Sequence, residues 1–239
     1  MLMSGMFNKR VSLIEAGVLR GASDSHSHIL FGVDDGIRTS DEALRAISME
    51  ESLGVKEIWC TPHIMEDIPN TTESLKARFA ELKGAYNGKI NLYLAAEYMI
   101  DTLFDERVEK DDLLTMKRET VLVETSIWTP PMDMIRKLDL LRRNGYNPLL
   151  AHPERYFYMG KADYRRLHAM YIDFQLNLPS LAGYYGEDIK EKAAWLLKNG
   201  MYVAFGTDCH RADSLPRLFS ERLLSKDQAE RLIDISIRI

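Results

Sequence analysis

Seven short apolar runs, most of them followed by a helix-compatible segment, constrain the fold more than any other feature of this sequence. The runs are rich in β-branched and aromatic residues, which is typical of strands. They cover residues 21–26, 55–61, 90–97, 120–125, 147–152, 171–177 and 201–208. Alternating strands and helices call for a parallel sheet. Seven such units predict an α/β fold in one closed or nearly closed barrel, with an open doubly wound sheet as the alternative.

Three of the intervening segments have clear helix signals. The segment from Ser40 to Gly54 has Ser40 where an N-cap is expected and Gly54 where a helix commonly ends. Two more segments, which end at Gly145 and Gly200, repeat this pattern. No G-x-G-x-x-G motif follows the first strand and no P-loop sequence occurs, which disfavours a nucleotide-binding version of the open sheet.

Charge and cysteine content disfavour several classes of protein. The 239 residues carry a net charge of -5, which disfavours electrostatic binding to nucleic acid or anionic lipid. Two cysteines are too few for a disulfide framework, and no apolar stretch has the length of a signal peptide or a membrane span. We therefore expect a cytoplasmic protein with an N-terminal extension at residues 1–20 and one domain at residues 21–239. The oligomeric state stays open.

Metal-binding side chains collect at the ends of the predicted strands. They are His26, His28, Asp34, Asp35, His63, Glu97, Glu124, His152, Asp208 and His210. Five of the six histidines are in this set, and only His168 falls on a predicted helix. The carboxyl ends of barrel strands meet at one face, and imidazole with carboxylate suits zinc, manganese or iron. Because the set exceeds the four ligands of one zinc site, it predicts two or three metals bridged by a carboxylate such as Glu97. Clustered metals suit phosphoryl transfer.

Three residues near these strand ends have open interpretations. Asp34 either takes part in the site or only shapes the turn, as Asp commonly does. Glu124 either supports the metal ligands or is a carboxylate at the edge of the core. Trp128 either borders a substrate cleft or packs within its loop, and we favour packing.

Several motifs together resemble a known family. They are "DSHSHILFGVDDG", "TPH", "AAEY", "LVETS", "AHPERY" and "GTDCH", which run in register from about residue 22 to 212. They resemble the PHP superfamily and, within it, the bacterial protein-tyrosine phosphatases of capsule and exopolysaccharide loci. The resemblance implies a distorted seven-stranded (β/α)7 barrel with two or three divalent metals, manganese first and iron or zinc as alternatives. It also implies hydrolysis of phosphotyrosine in the tail of a bacterial tyrosine kinase.

The resemblance also implies roles for individual residues. His26 and His28 would hold the first metal, Glu97 would bridge to the second, and His63 and His152 would complete the second site. The remaining metal positions would be served by Asp35, Asp208 and His210, with Asp35 also a catalytic residue. Arg155 would contact phosphate and act in catalysis. A further phosphate-binding arginine is expected after the "GTDCH" element, and both Arg211 and Arg217 are candidates.

Three alternative functions remain. A small-molecule phosphoesterase of the histidinol-phosphatase type would use the same ligands. An amidohydrolase is a second barrel enzyme with an H-x-H motif, but such enzymes often bridge their metals through a modified lysine, and no strand end here supplies a lysine. A metal-holding regulatory protein without turnover is the third alternative, and the complete ligand set disfavours it.

Overall fold

A computed structural model describes residues 10–236. The first nine residues of the predicted N-terminal extension lie outside the described residues. The rest of that extension packs against the C-terminal part of the chain, since Val11 forms an antiparallel bridge with Leu224. Val18 and Leu19 are buried in the main core. The boundary at residue 20 stays a prediction.

Nine short strands form two sheets within the described residues. They are β1 (Ser23–Ser27), β2 (Glu57–Cys60), β3 (His63–Ile64), β4 (Asn91–Leu94), β5 (Glu97–Met99), β6 (Thr120–Glu124), β7 (Asn147–Ala151), β8 (Asp173–Asn177) and β9 (Tyr202–Gly206). One sheet has the order β1-β2-β4, and the other has the order β3-β5-β6-β7-β8-β9. All these strand pairs are parallel. The predicted α/β class with a parallel arrangement is confirmed.

Helices follow most of the strands. They are α1 (Leu13–Ala16), α2 (Ser40–Ser52), α3 (Thr72–Ala85), α4 (Phe104–Glu109), α5 (Met134–Arg143), α6 (Lys161–Ala169), α7 (Leu178–Ala182), α8 (Glu187–Lys198), α9 (Leu215–Ser220) and α10 (Lys226–Ser236). The three helices predicted most clearly correspond to α2, α5 and α8. The N-cap of α2 is Thr39 rather than Ser40, because the Thr39 hydroxyl accepts a hydrogen bond from Glu42 N. Among residues 10–236, no helix is long and apolar enough to cross a membrane.

The chain passes from the smaller sheet into the larger sheet at two places, between β2 and β3 and between β4 and β5. The run predicted as a single strand at 90–97 is divided into β4, which pairs with β2, and β5, which pairs with β3. The break between β2 and β3 contains Pro62, which has no N–H to continue the ladder. As a result, the ends of β2 and β4 continue into the larger sheet, which carries the candidate metal-binding side chains of His63 and Glu97.

The predicted closed barrel of seven strands stays a prediction, because the hydrogen-bonded strands form two parallel sheets. The two outer elements do meet. Beyond the end of β9, Asp208 N donates to His26 O at 2.8 Å, and His28 N donates to Cys209 O at 3.2 Å. A parallel bridge joins Ser27 to Cys209. These bonds bring the candidate metal-binding side chains at the end of β1 and in the segment after β9 to the same edge.

The core lies on both faces of the larger sheet. On β6, Val121 and Val123 belong to the main core, whereas Leu122 belongs to a second cluster with Trp59 and Leu149. Successive side chains on a strand point to opposite faces, so the second cluster covers the face opposite the helices. Both faces of the sheet are therefore covered, as expected for parallel strands.

Candidate metal centre

The H-x-H motif lies at the end of β1 with both rings fully buried. Residues two apart on a strand share a face, and the Nε2 atoms of His26 and His28 are 3.1 Å apart. The Nδ1 atom of each ring has its own partner. His28 Nδ1 is 2.8 Å from Asp34 Oδ2, and His26 Nδ1 is 3.1 Å from Gln175 Oε1. With a cation bound, these acceptors would keep the ring protons on Nδ1 and leave both Nε2 lone pairs facing one point.

Glu97 lies at the middle of the cluster and is fully buried. It is directly opposite His63 in the pairing of β3 with β5. Its Oε2 atom is 3.2 Å from His26 Nε2 and 3.2 Å from His63 Nδ1. Its Oε1 atom is 3.0 Å from His152 Nε2, which comes from the end of β7. One carboxylate therefore contacts histidines from three different strands, as a bridging ligand would.

Asp208 approaches the H-x-H pair from the end of β9. Its Oδ1 atom is 3.4 Å from His28 Nε2, and its Oδ2 atom accepts hydrogen bonds from Asn177 Nδ2 at 2.7 Å and Arg155 Nη1 at 2.9 Å. Asp208 and His152 both have positive φ, at 51° and 34°. Such strained backbone is uncommon outside glycine and tends to occur at functional sites.

The outer part of the cluster contains Asp35, His63 and His210. Asp35 Oδ1 is 3.5 Å from His63 Nε2 and 3.4 Å from His210 Nε2. The Asp35 side chain is 64% exposed, whereas that of His63 is only 12% exposed. Asp35 therefore lies at the solvent side of the cluster, where a ligand can reach it. His210 Nδ1 is 2.9 Å from its neighbour Asp208 O, which again leaves Nε2 facing the site.

Four groups of these side chains have geometry that can hold a cation. Within each group the ligand atoms lie within 4.8 Å of one another. The groups are His28, Asp35, His63 and His210; His26, His28 and Asp208; His26, Glu97 and His152; and His63, Glu97 and Glu124. Every predicted metal ligand falls in at least one group. Since His26, His28, His63 and Glu97 are each shared by two groups, neighbouring ions would share ligands.

Unpaired buried atoms show that the residues fit bound cations. Within the described residues, Glu97 Oε2 and Glu124 Oε1 lie 3.2 and 3.0 Å from His63 Nδ1, yet all three buried atoms lack a hydrogen bond. A buried charged oxygen without a partner is costly. The 3.1 Å separation of the His26 and His28 Nε2 atoms matches two ligands that each lie roughly 2.0–2.1 Å from one ion. A cation would satisfy all of these atoms together.

The electrostatics of the cluster are those of a cation site. Burial and the nearby His28 lower the pKa of His63, but the carboxylates of Glu124 and Glu97 outweigh them and raise it to about 10. Burial raises the pKa of Glu97, but the surrounding histidines hold it well below its usual range. The carboxylates thus stay ionised and attract positive charge. Bound metals would displace the histidine protons.

Sequence reasoning missed several residues that support the ligands. Gln175 and Asn177 lie two apart at the end of β8 and bond to His26 and Asp208. The position of two polar residues at the end of an apolar strand could have indicated this role from the sequence. Asp34 does more than shape a turn, since it also accepts a hydrogen bond from His63 N at 3.1 Å. Glu124 lies 3.0 Å from His63 Nδ1 and belongs to one of the four groups.

The three arginines singled out in the sequence differ in position. Arg155 and Arg211 line a cavity of about 370 Å³ next to Asp208 and His210. Arg211 Nη1 donates to backbone oxygens of Asp35 and Gly36. Arg217 lies outside this lining, and its Nε atom donates to Glu221 Oε2 at 2.9 Å. The exposed Trp128 stacks on Phe157, with ring centroids 4.7 Å apart.

Comparisons of sequence and of structure find similar proteins that have related names. The putative tyrosine-protein phosphatase CapC of Staphylococcus aureus is 27% identical over 216 residues, covering 84% of this chain and 83% of that protein. The tyrosine-protein phosphatase CpsB of Streptococcus pneumoniae is 25% identical over 213 residues, covering 81% and 84%. A structure from work on YwqE of Bacillus subtilis and CpsB of Streptococcus pneumoniae, described as unique metal-dependent tyrosine phosphatases, has the same fold. It matches with a TM-score of 0.76 and 20% identity, covering 91% of this chain and 88% of that one.

A family model described as "Capsular polysaccharide synthesis, CpsB/CapC" matches residues 22–231. This range contains every candidate metal ligand and nearly the whole predicted domain. The resemblance drawn from the sequence motifs is confirmed, and the chain belongs to the CpsB/CapC family.

Proposed function

We propose that this protein is a metal-dependent protein-tyrosine phosphatase. The observation that carries the proposal is the convergence of five histidines with Glu97, Asp208, Asp35 and Glu124 in shared metal-binding groups. Relatives named as tyrosine-protein phosphatases, which match over four fifths of the chain, support the same reaction. The substrate is a phosphotyrosine side chain in a protein. The tail of a bacterial tyrosine kinase that controls capsular or exopolysaccharide synthesis is the proposed partner.

The proposed ligands hold two or three divalent metals, with manganese first and iron or zinc as alternatives. They are His26, His28, Asp35, His63, Glu97, His152, Asp208 and His210, to which the geometry adds Glu124. When bound, such cations polarise phosphate oxygens and acidify water. Asp34 and Gln175 orient the imidazole rings of His28 and His26, as residues behind metal ligands commonly do.

The remaining site residues bind the substrate and move protons. Arg155 presents a planar fork that matches phosphate oxygens, and Arg211 lines the same cavity. Arg217 would reach the substrate only by leaving Glu221. The Asp35 carboxylate lies at the solvent side, where its oxygen that does not bind a metal would accept a proton from the attacking water. Hydrolysis joins the water oxygen to phosphorus and breaks the bond to the tyrosine oxygen. Since a phenol has a pKa of roughly 10, the phenolate departs readily and takes up a proton from solvent.

The proposal includes an architecture and a location. One domain at residues 21–239 would form a distorted (β/α)7 barrel, supported by the backbone bonds that join β1 to the segment after β9. Residues 1–20 would be an extension. The protein would act in the cytoplasm on its kinase substrate, without nucleic-acid or membrane-inserted partners.

A histidine substitution with a matched control tests the function. The full-length protein, purified without chelators, is assayed with para-nitrophenyl phosphate and a phosphotyrosine peptide in Mn²⁺, together with elemental analysis. His152→Ala should lose at least about 100-fold in kcat/KM and part of its metal, while unfolding stays cooperative. His168→Ala changes the exposed histidine on α6 and should match wild type. A wild-type protein that is inactive with every divalent metal would refute the proposal.

A substrate panel separates the phosphotyrosine reaction from the small-molecule alternative. Phosphotyrosine peptide and histidinol phosphate are compared at the same metal loading. A phosphotyrosine phosphatase should have the higher kcat/KM for the peptide. A much higher kcat/KM for histidinol phosphate would instead assign the protein to the small-molecule phosphoesterases. The proposed metal centre would still stand.

A further inference from the structure

A pair of tyrosines borders the cavity beside the metal centre. Tyr184 and Tyr185 lie between α7 and α8, and glycines with positive φ, Gly183 at 88° and Gly186 at 97°, flank them. Both tyrosines line the cavity of about 370 Å³ that also contains Arg155, Asp208 and His210. This volume is within the usual range of small-molecule sites, roughly 300–1,000 Å³. The cavity is therefore large enough for a substrate group that reaches the metals.

Tyr185 holds Arg155 from one side. The Arg155 guanidinium carbon lies 4.6 Å from the centroid of the Tyr185 ring, a cation–π distance. Its Nη1 atom donates to Asp208 Oδ2 at 2.9 Å, which within residues 10–236 is the only hydrogen bond that the Arg155 side chain makes. The ring covers one face of the guanidinium and the carboxylate occupies one edge. The other N–H groups are left for a ligand in the cavity.

The Tyr185 side chain is also open to the cavity. The residue is 40% exposed, so part of the ring is available to a ligand after Arg155 has packed on it. Burial and the charge of Asp208 raise the pKa of Tyr185, so its hydroxyl stays neutral. An apolar ring with a neutral hydroxyl is a suitable wall for an aryl group, and aromatic pairs contribute roughly 0.5–1.5 kcal/mol beyond their buried area.

We propose that Tyr185 is a substrate-positioning residue that holds Arg155 for the phosphate and packs against the aryl ring of phosphotyrosine. It would make the site select aryl over alkyl phosphates. The inference rests on the proposed phosphatase function and deepens it, because it names the group that recognises the tyrosine part of the substrate. The Tyr185 ring, which belongs to none of the candidate metal-binding groups, would make this selection.

Two non-hydrolysable probes measure the selection separately from turnover. Phenylphosphonate and methylphosphonate are tested as competitive inhibitors of para-nitrophenyl phosphate hydrolysis by the full-length Mn²⁺ protein. The wild-type protein should bind phenylphosphonate more tightly than methylphosphonate. Tyr185→Leu should reduce this preference about tenfold and leave the metal content unchanged. It should also weaken the binding of methylphosphonate, because Arg155 loses the ring that supports it. Tyr185→Phe keeps the ring and should stay within about twofold of wild type. Tyr185→Ala is a second ring-removing variant with the same expected result.

A distant tyrosine provides the matched control. Tyr171 is 79% exposed, lies at the opposite end of β8, and has Arg142 over its ring at 5.6 Å. Tyr171→Leu should leave both inhibition constants at wild-type values. The inference is overturned if Tyr185→Leu keeps the wild-type preference, or if it loses metal and weakens both probes equally, as a purely structural change would. An inactive wild type would instead overturn the phosphatase function itself.

Discussion

The Nδ1 atom of His28 lies 2.8 Å from Oδ2 of Asp34, and this contact aims His28 Nε2 at the candidate metal-binding cluster. The same carboxylate accepts hydrogen bonds from Gly36 N at 2.9 Å and His63 N at 3.1 Å. Burial raises the pKa of Asp34, but His28 and these donors outweigh burial and lower it. Asp34 therefore links the H-x-H motif to β3 while it stays ionised.

Replacing Asp34 should weaken metal binding without removing a ligand. Asp34→Asn takes away the charge that orients His28, and the loss of such a partner typically costs 10–100-fold in metal affinity or activity. We expect a loss of about that size in Mn²⁺ affinity, measured by titrating Mn²⁺ into protein from which a chelator has removed the metal. Asp67→Asn, at an exposed position in the loop after β3, should bind as wild type. Equal affinities for wild type and Asp34→Asn would mean that the contact does not support a ligand.

The glycine of the D-D-G element should be intolerant of a side chain. A Cβ at Gly36 would lie 2.4 Å from His28 O and 2.5 Å from His28 Cβ. Gly36→Ala should therefore lower the free energy of unfolding by about 1–3 kcal/mol through overpacking and reduce metal content. Gly84 in α3 has no atom within 4 Å of such a Cβ. Gly84→Ala should be neutral or stabilising by up to about 1 kcal/mol. Urea unfolding of both variants measures whether the two changes in the free energy of unfolding have opposite signs.

Divalent cations should stabilise the fold. The buried carboxylates of Glu97 and Asp208 are surrounded by histidines, and a ligand that binds only the folded state at 100 times its Kd adds about 2.7 kcal/mol. For a chain of this size that corresponds to a rise in Tm of about 5–10 °C. The measurement is thermal unfolding after chelation and again after Mn²⁺ addition. His152→Ala should show a smaller rise, and no rise with manganese, iron or zinc would contradict the proposed site.

A buried carboxyl away from the metal ligands should make stability depend on pH. Glu50 is fully buried, and burial and the neighbouring Asp24 raise its pKa well above the usual 4.5. Between the usual pKa of 4.5 and the raised pKa, Glu50 is ionised in the unfolded chain but protonated in the folded protein. The free energy of unfolding therefore falls as the pH rises through this range. Glu50→Gln removes this contribution. Its free energy of unfolding should fall less steeply with pH, by up to about 1.4 kcal/mol per pH unit.

The pH effect is measured by urea unfolding from about pH 5 to about pH 8. Glu109→Gln changes an exposed glutamate on α4 and serves as the matched control, expected to keep the wild-type slope. Parallel curves for wild type and Glu50→Gln would show that Glu50 gains no proton on folding.

The positions of the strands could be predicted because the signal is local. Each apolar run lies within a few residues of a turn or helix start, and the runs near β1, β6 and β7 match the strands closely. The candidate ligands could be predicted for a related reason. Strand ends in a β/α arrangement share one face, so His26, His63 and His152 meet although they are far apart in the chain.

Contacts between side chains on distant strands could not be predicted. Gln175 lies 149 residues from His26, and their hydrogen bond depends on how the strands are aligned. The division of 90–97 into β4 and β5 likewise depends on which neighbour each part pairs with.

The sequence by itself determined the α/β class, the family motifs and the residue types that can bind metals, because periodicity and residue chemistry are properties of short segments. Only the tertiary structure decided which carboxylate lies among which histidines, that Asp34 orients His28, and that Tyr185 covers Arg155. Those relationships arise from register and packing between remote segments, where a shift of one residue would turn every side chain to the other face.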